Sequence, residues 1–103
     1  MPDSATPPGK SAALASFERM LAAGKDGALL RYSIGNEHAK AKDWPAAAEA
    51  LARAVVLDSD YTAAWKLYAR ALLETGQPKA ALDAYRQGID VARRKGRHLS
   101  GPP

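Results

Sequence analysis

One arrangement of small and bulky side chains recurs along this chain with a stride of 34 residues. Shifted back by that distance, Tyr68 falls on Ile34, Ala69 on Gly35, Leu72 on His38, Ala81 on Ala47, Tyr85 on Leu51 and Gly88 on Ala54. A second shift sets Ala47 on Ala13, Leu51 on Phe17 and Ala54 on Met20. At the close-packing sites of the first shift, small lies over small and large apolar over large apolar. A stride of this length marks a supersecondary unit that cannot bury its apolar face alone and must stack on its neighbours.

Residues 60–95 show what the unit is. Asp60 can cap a helix start. Trp65, Tyr68 (or Leu67), Ala69 and Leu72 then follow at steps of three and four, the period of one helix face. Gly76 ends that helix, because glycine adopts the left-handed conformation without steric cost. Pro78 opens the next helix, where its missing N–H is harmless. Ala81, Leu82, Tyr85 and Ile89 read as the second apolar face. Two amphipathic helices joined by a tight turn make a hairpin.

The pattern resembles the tetratricopeptide repeat family, whose unit is a helical pair of 34 residues. Residues 62–95 match the family at Trp65, at Ala69 for its glycine and at Ala81, with Tyr85 for its Phe and Gly88 for its Ala. Residues 28–61 match at Gly35, Ala47 and Ala54, with Ile34 and Leu51 as apolar stand-ins. Arg31 departs at the Trp site, His38 at the Tyr site, and Ser59 and Arg93 at the Pro site. The resemblance implies an all-α fold of five helices: antiparallel hairpins stacked in a right-handed superhelix, with no sheet. It divides residues 11–95 into a half repeat, 11–27, and two repeats, 28–61 and 62–95.

Along the chain, residues 1–10 read as a disordered lead-in, since proline and small polar residues bury too little to offset ordering. Ser11 is placed to cap a first helix over 12–23, bearing Leu14, Phe17, Met20 and Leu21. That helix stands in the register of a repeat's second helix, so its expected role is to cover the next hairpin. Asp26, or Gly27 itself, starts a second helix over 27–41, whose packing face holds Leu30, Ile34, Gly35 and His38. Gly35 forgoes about 1 kcal/mol of helix propensity relative to Ala; close approach to Ala47 is its expected return. Asp43, Trp44 and Pro45 turn and cap a third helix ending near Leu57, with Trp44 as a packed indole. A fourth runs over 61–75 and a fifth over 78–95. Lys79, Asp83, Arg86, Gln87, Asp90 and Arg94 make a charged outer stripe on the fifth, which reads as its own polar end-cap. Residues 96–103 read as a flexible tail.

Charge is unevenly spread. Of 15 basic residues, four stand at Arg93, Arg94, Lys95 and Arg97, and the other 11 balance the 11 acidic ones. Cations at a helix C-terminus complement its free carbonyls and dipole, and no aromatic residue interleaves this cluster to stack on bases. Nucleic-acid binding is therefore not the expected role. The chain has no cysteine, which excludes disulfides, thiol catalysis and cysteine-held metals. The N-terminus lacks an apolar run, and no stretch approaches the roughly 20 apolar residues of a membrane span. A cytoplasmic protein is expected.

Catalytic groups are not found at usable spacing. His38 reads as a hydrogen-bonded core histidine and His98 as solvated. No His, Asp or Glu pair has metal-ligand spacing. The serines lack a nucleophile-elbow context, and the GKDG at 24–27 lacks the ending of a phosphate loop. No cofactor is implied, and the expected role is non-catalytic.

The family resemblance implies instead a concave groove lined by each repeat's first helix. Its positions fall on Leu29, Tyr32, Asn36, Ala39 and Lys40, and on Ala63, Lys66, Arg70, Leu73 and Glu74. The expected partner is a protein or peptide segment, with Lys66 and Arg70 attracting carboxylates. Of the carboxylate clamp some members carry, only Asn36 has a counterpart; Tyr32 stands at a clamp lysine and Leu67 at an asparagine. The bland reading pairs Lys66 and Arg70 with Glu74 on a solvated face. Self-association is the rival reading, because two and a half units are close to the minimum for a stable stack and Val56 and Val91 are candidates for exposure. A monomer or weak homodimer is expected.

Overall fold

The structure, a computed structural model, describes residues 11–100, with side chains through Gly96. The lead-in at 1–10, the end of the expected tail at 101–103 and the His98 side chain lie outside the described residues. The described chain forms five helices and no strand: α1 (Ala12–Ala22), α2 (Ala28–Lys40), α3 (Trp44–Leu57), α4 (Thr62–Glu74) and α5 (Pro78–Ser100). The helix pairs α2–α3 and α4–α5 pack as hairpins, α3 packs on α4, and α1 covers α2. The fifth helix continues to Ser100 rather than ending at Lys95, so residues 96–100 are helical and not part of a tail.

Local chemistry explains most of the boundaries. The Ser11 hydroxyl accepts from the Leu14 N–H at 3.0 Å and donates to Glu37 Oε1 at 2.9 Å, which both caps α1 and ties it to α2. Lys40 at 3.0 Å and then Ser11 hold the Glu37 carboxyl below its ordinary pKa. Asp43 caps α3 by accepting from the Ala46 N–H at 3.3 Å, and Pro45 fills the first turn. For α2 the Gly27 alternative holds rather than Asp26, and for α4 the expected Asp60 cap is replaced. Gly27 precedes α2, and Asp26 instead takes Arg31 Nε at 2.8 Å and Nη2 at 3.1 Å. Tyr61 precedes α4 without a side-chain cap, and the Asp60 N–H donates to Asp58 Oδ1 at 3.0 Å in the preceding turn.

Arg31 and Trp65 occupy the same repeat position and solve one problem in two ways. Each reaches back to the loop before its helix. Arg31 does so through the Asp26 carboxylate, whose pKa it holds down, and Trp65 through an indole N–H donated to the Ser59 carbonyl at 2.8 Å.

The core is built on alanine. Ala47, Ala54, Ala64, Ala69 and Ala71 are fully buried, and among larger residues Leu14, Leu51 and Val91 are most completely enclosed. Small side chains let helix axes approach closely, and Leu51 fills the space that results. A Cβ built on Gly35 would lie 2.6 Å from Leu51 Cγ and 2.9 Å from its Cδ2. Gly35 therefore makes room for Leu51, one turn beyond the Ala47 expected from the repeat register. On the other side of α2, Ile34 joins Leu14 and Ala50, with Phe17, Leu21 and Leu30 around them. His38 is half-buried, with Nδ1 4.0 Å from Asp43 Oδ2, too long for the hydrogen bond expected of it.

The turns within the two hairpins share a conformation but not a residue. Gly76 has φ 77° and Lys42, one stride earlier, has φ 61°. A side chain in the left-handed region costs about 1–2 kcal/mol, and Lys42 is exposed. Replacing it with glycine relieves that strain but loosens the unfolded chain. Lys42→Gly is expected to raise stability by about 0.5–1 kcal/mol, read as a higher urea midpoint at unchanged slope. A lower midpoint would show that the lysine is not strained.

The fifth helix corrects the expected packing. Its buried stripe is Ala81, Ala84, Gly88 and Val91. Leu82 and Ile89 are about half exposed and Tyr85 is 36% exposed, although all three read as packing residues. Gly88 sets the approach here: a Cβ on it would stand 3.1 Å from Trp65 Cβ. The outward side of α5 is thus not wholly a polar cap. Of the two valines expected to be partly exposed, Val56 is 70% exposed but Val91 is buried.

Candidate functional site

The first helices of the two repeats, α2 and α4, lie side by side. Tyr32 projects from the middle of α2 and its ring tilts against that of Tyr61, 5.0 Å away between centroids. Burial, then the neighbouring Tyr32 and Asp58, push the Tyr61 phenol above its ordinary pKa. Lys66 and Arg70 stand one turn apart on α4. With Tyr32, Ala63, Leu67 and Tyr85 they line an open cavity of about 330 Å³.

The two cations differ in how they are held. Arg70 Nε bonds Glu74 Oε2 at 2.9 Å, and its guanidinium lies 5.0 Å from the centre of the Trp44 ring. An arginine held by a carboxylate and an indole loses less side-chain freedom on meeting a ligand. Lys66 is exposed and makes no ion pair among the described residues. No carboxylate lines the cavity. Its lining joins two cations and two phenols to the apolar Ala63 and Leu67, a combination suited to an anionic group carried on an apolar stem.

The expected groove residues divide accordingly. Tyr32, Lys66 and Arg70 meet at the cavity, with Ala63. Leu29 is 68% exposed and Leu73 50%, and both lie outside its lining. Asn36 is half-buried elsewhere on α2, and Ala39 packs into the core beside Leu51. Lys40 is bound to Glu37, and Glu74 acts through Arg70. Trp44 does pack, as its position implied, and also stacks on Arg70. Two lining residues, Leu67 and Tyr85, were not expected there. Tyr85 follows the buried Ala84 directly, and the run Ala81, Ala84, Gly88 of small residues at helical spacing was the signal that the bulkier neighbours would be displaced.

Among the described residues, no group of His, Asp or Glu could hold a metal ion, and no helix is long and apolar enough to cross a membrane. Arg93, Arg94 and Lys95 are exposed, and Arg94 reaches Asp90 at 3.3 Å and Asp60 at 3.7 Å.

Comparison with known proteins agrees with this architecture. The family model described as tetratricopeptide repeat matches residues 10–62 and again 32–97. A protein of Pseudomonas aeruginosa named TPR repeat-containing protein PA0015 is 42% identical over 76 residues, which span 74% of this chain and 72% of the relative.

Proposed function

Because this chain belongs to the tetratricopeptide repeat family, whose repeats generally mediate protein–protein interaction, we propose that it is a non-catalytic module that binds an acidic, extended protein segment along α2 and α4. The cavity between Tyr32, Lys66, Arg70 and Tyr85 is the seat of that contact. The observation that carries the reading is the state of the two cations: Arg70 is pre-oriented over Trp44, Lys66 has no partner, and no lining carboxylate competes. A carboxylate on the segment takes Lys66 and the free edge of Arg70, and an apolar side chain beside it rests on Leu67 and Tyr85.

The test compares two sets of extended peptides of equal length, each with a central leucine and either acidic or neutral flanks. Acidic peptides are expected to bind more tightly and to lose about tenfold or more in affinity on Lys66→Glu, and more again with Arg70→Glu. Thermal melts of the variants check that the fold persists. Equal binding of both sets, or affinity indifferent to both substitutions, would overturn the reading.

A further inference from the structure

The strongest unexplained feature is the open side of α5. Its buried stripe, Ala81, Ala84, Gly88 and Val91, is followed one residue later by a second stripe, Leu82, Tyr85, Ile89 and Ala92. One residue is about 100° around a helix, so the second stripe lies on the flank of the buried one rather than within the core. All four residues are exposed, and Leu82 and Ile89 are about half so. Tyr85, Gly88, Ile89 and Ala92, with Thr62 and Lys66 of α4, line a groove of about 320 Å³. It adjoins the cavity described above, sharing only Lys66 and Tyr85 with it.

The groove has a charged border of one sign. Arg86 follows Leu82 by four residues and precedes Ile89 by three, and Arg93 follows Ile89 by four, so both stand beside the apolar stripe on the side away from α4. Lys66 borders the opposite side. None of these three cations has an ion-pair partner among the described residues. The acidic residues of α5, Asp83 and Asp90, lie further around the helix, and Asp90 is bound to Arg94.

We infer that this groove docks an amphipathic helix of a partner protein, one whose apolar stripe is flanked by Asp and Glu. The geometry favours a helix over an extended strand. Leu82, Tyr85, Ile89 and Ala92 follow one another at steps of three, four and three, the spacing of a helix–helix seam. The charge selects the partner: three unpaired cations around an apolar groove favour carboxylates and disfavour a basic helix. The same charge disfavours a second copy of this chain. Two-fold pairing would set Lys66, Arg86 and Arg93 against themselves. The outer side of α1 offers Met20 as its exposed large apolar residue, which is no match for the stripe. Residues 1–10 and 101–103 hold Met1 as their one large non-proline apolar side chain and Asp3 as their one acid, so they cannot supply the helix either.

The probe is a pair of synthetic helical peptides with Leu and Ile at the seam positions and either Glu or Lys flanking them, followed by fluorescence anisotropy. The Glu-flanked peptide is expected to bind and the Lys-flanked one to bind at least about tenfold more weakly. Ile89→Ser, and separately Arg86→Glu with Arg93→Glu, are each expected to weaken binding about tenfold. Tyr32→Ala with Arg70→Ala is expected to leave it unchanged, which separates this groove from the cavity between α2 and α4. All substituted side chains on α5 are exposed, and the double charge reversal leaves the apolar groove intact if Ile89→Ser perturbs folding. No binding by the Glu-flanked peptide, equal binding of the two peptides, indifference to the α5 variants, or an Ile89-dependent dimer in sedimentation would each overturn the inference.

Discussion

Leu51→Ala is expected to lower the unfolding free energy by about 3–4 kcal/mol. Leu51 has no exposed surface and shares its cluster with the buried Ala47 and Ala71, with Tyr32, Ala39, Trp44, Leu67 and Tyr68 around it. The fully buried neighbours are alanines, too short to refill the space, so the cost is expected above the low end of the range for such truncations. The more discriminating measurement couples it to Gly35. In the native background, Gly35→Ala gains about 1 kcal/mol of helix propensity. It also puts a methyl against three carbons of Leu51 at 2.6, 2.9 and 3.3 Å. Overpacking of this kind costs about 1–3 kcal/mol, so the net effect is a loss of up to about 2 kcal/mol, centred near 1. In the Leu51→Ala background the same methyl enters the vacated space, and the sign reverses. The double-mutant cycle is therefore expected to show a coupling of about 2 kcal/mol, measured by urea denaturation of all four proteins. A Gly35→Ala effect that is the same in both backgrounds would show that the approach of Gly35 to Leu51 does not hold these helices in place.

Trp65→Ala is expected to cost about 3 kcal/mol. The indole bridges two core clusters, one of Ala69, Leu72, Ala81 and Ala84 and one of Ala54, Val55 and Ala64. It also donates to the Ser59 carbonyl at 2.8 Å and meets Tyr68 with ring centres 6.3 Å apart. Trp65→Phe keeps most of the burial and leaves a solvent-accessible carbonyl, so a loss of about 1 kcal/mol is expected. Because repeat units contact mainly their neighbours, the alanine variant should speed amide exchange in α4 and α5 first. Exchange that rises equally in α1 would mean that the stack opens as one unit. A cost below about 1 kcal/mol would mean that the indole is not the bridge between the clusters.

Much of this could be read before any coordinates. Gly76, Pro78, Asp43, Ser11 and Pro45 mark their turns and caps through backbone chemistry that acts within a few residues. The alternation of small and large side chains at a stride of 34 names the hairpin and its register. The site was less legible. Periodicity chose Leu82, Tyr85 and Ile89 for the core because they are the bulkier stripe on α5, and bulk is what a sequence pattern weighs. The core took the alanine stripe instead, since Gly88 lets α5 approach Trp65 closely and large side chains would hold the helices apart. Asp26 and Asp60 looked like caps for the same local reason; the side chain of Arg31, one turn into α2, claimed the first, and the geometry of the loop turned the second away.

The sequence by itself determined that the chain is a series of helical pairs, where those pairs turn, and that its composition supplies no thiol chemistry, because these follow from short-range backbone preference and from which atoms are present. Only the tertiary structure decided which stripe of α5 is inside, that Gly35 answers Leu51, and that Tyr32, Lys66, Arg70 and Tyr85 share one cavity. Each of those depends on the distance between helix axes, and that distance is set jointly by side chains on separate helices.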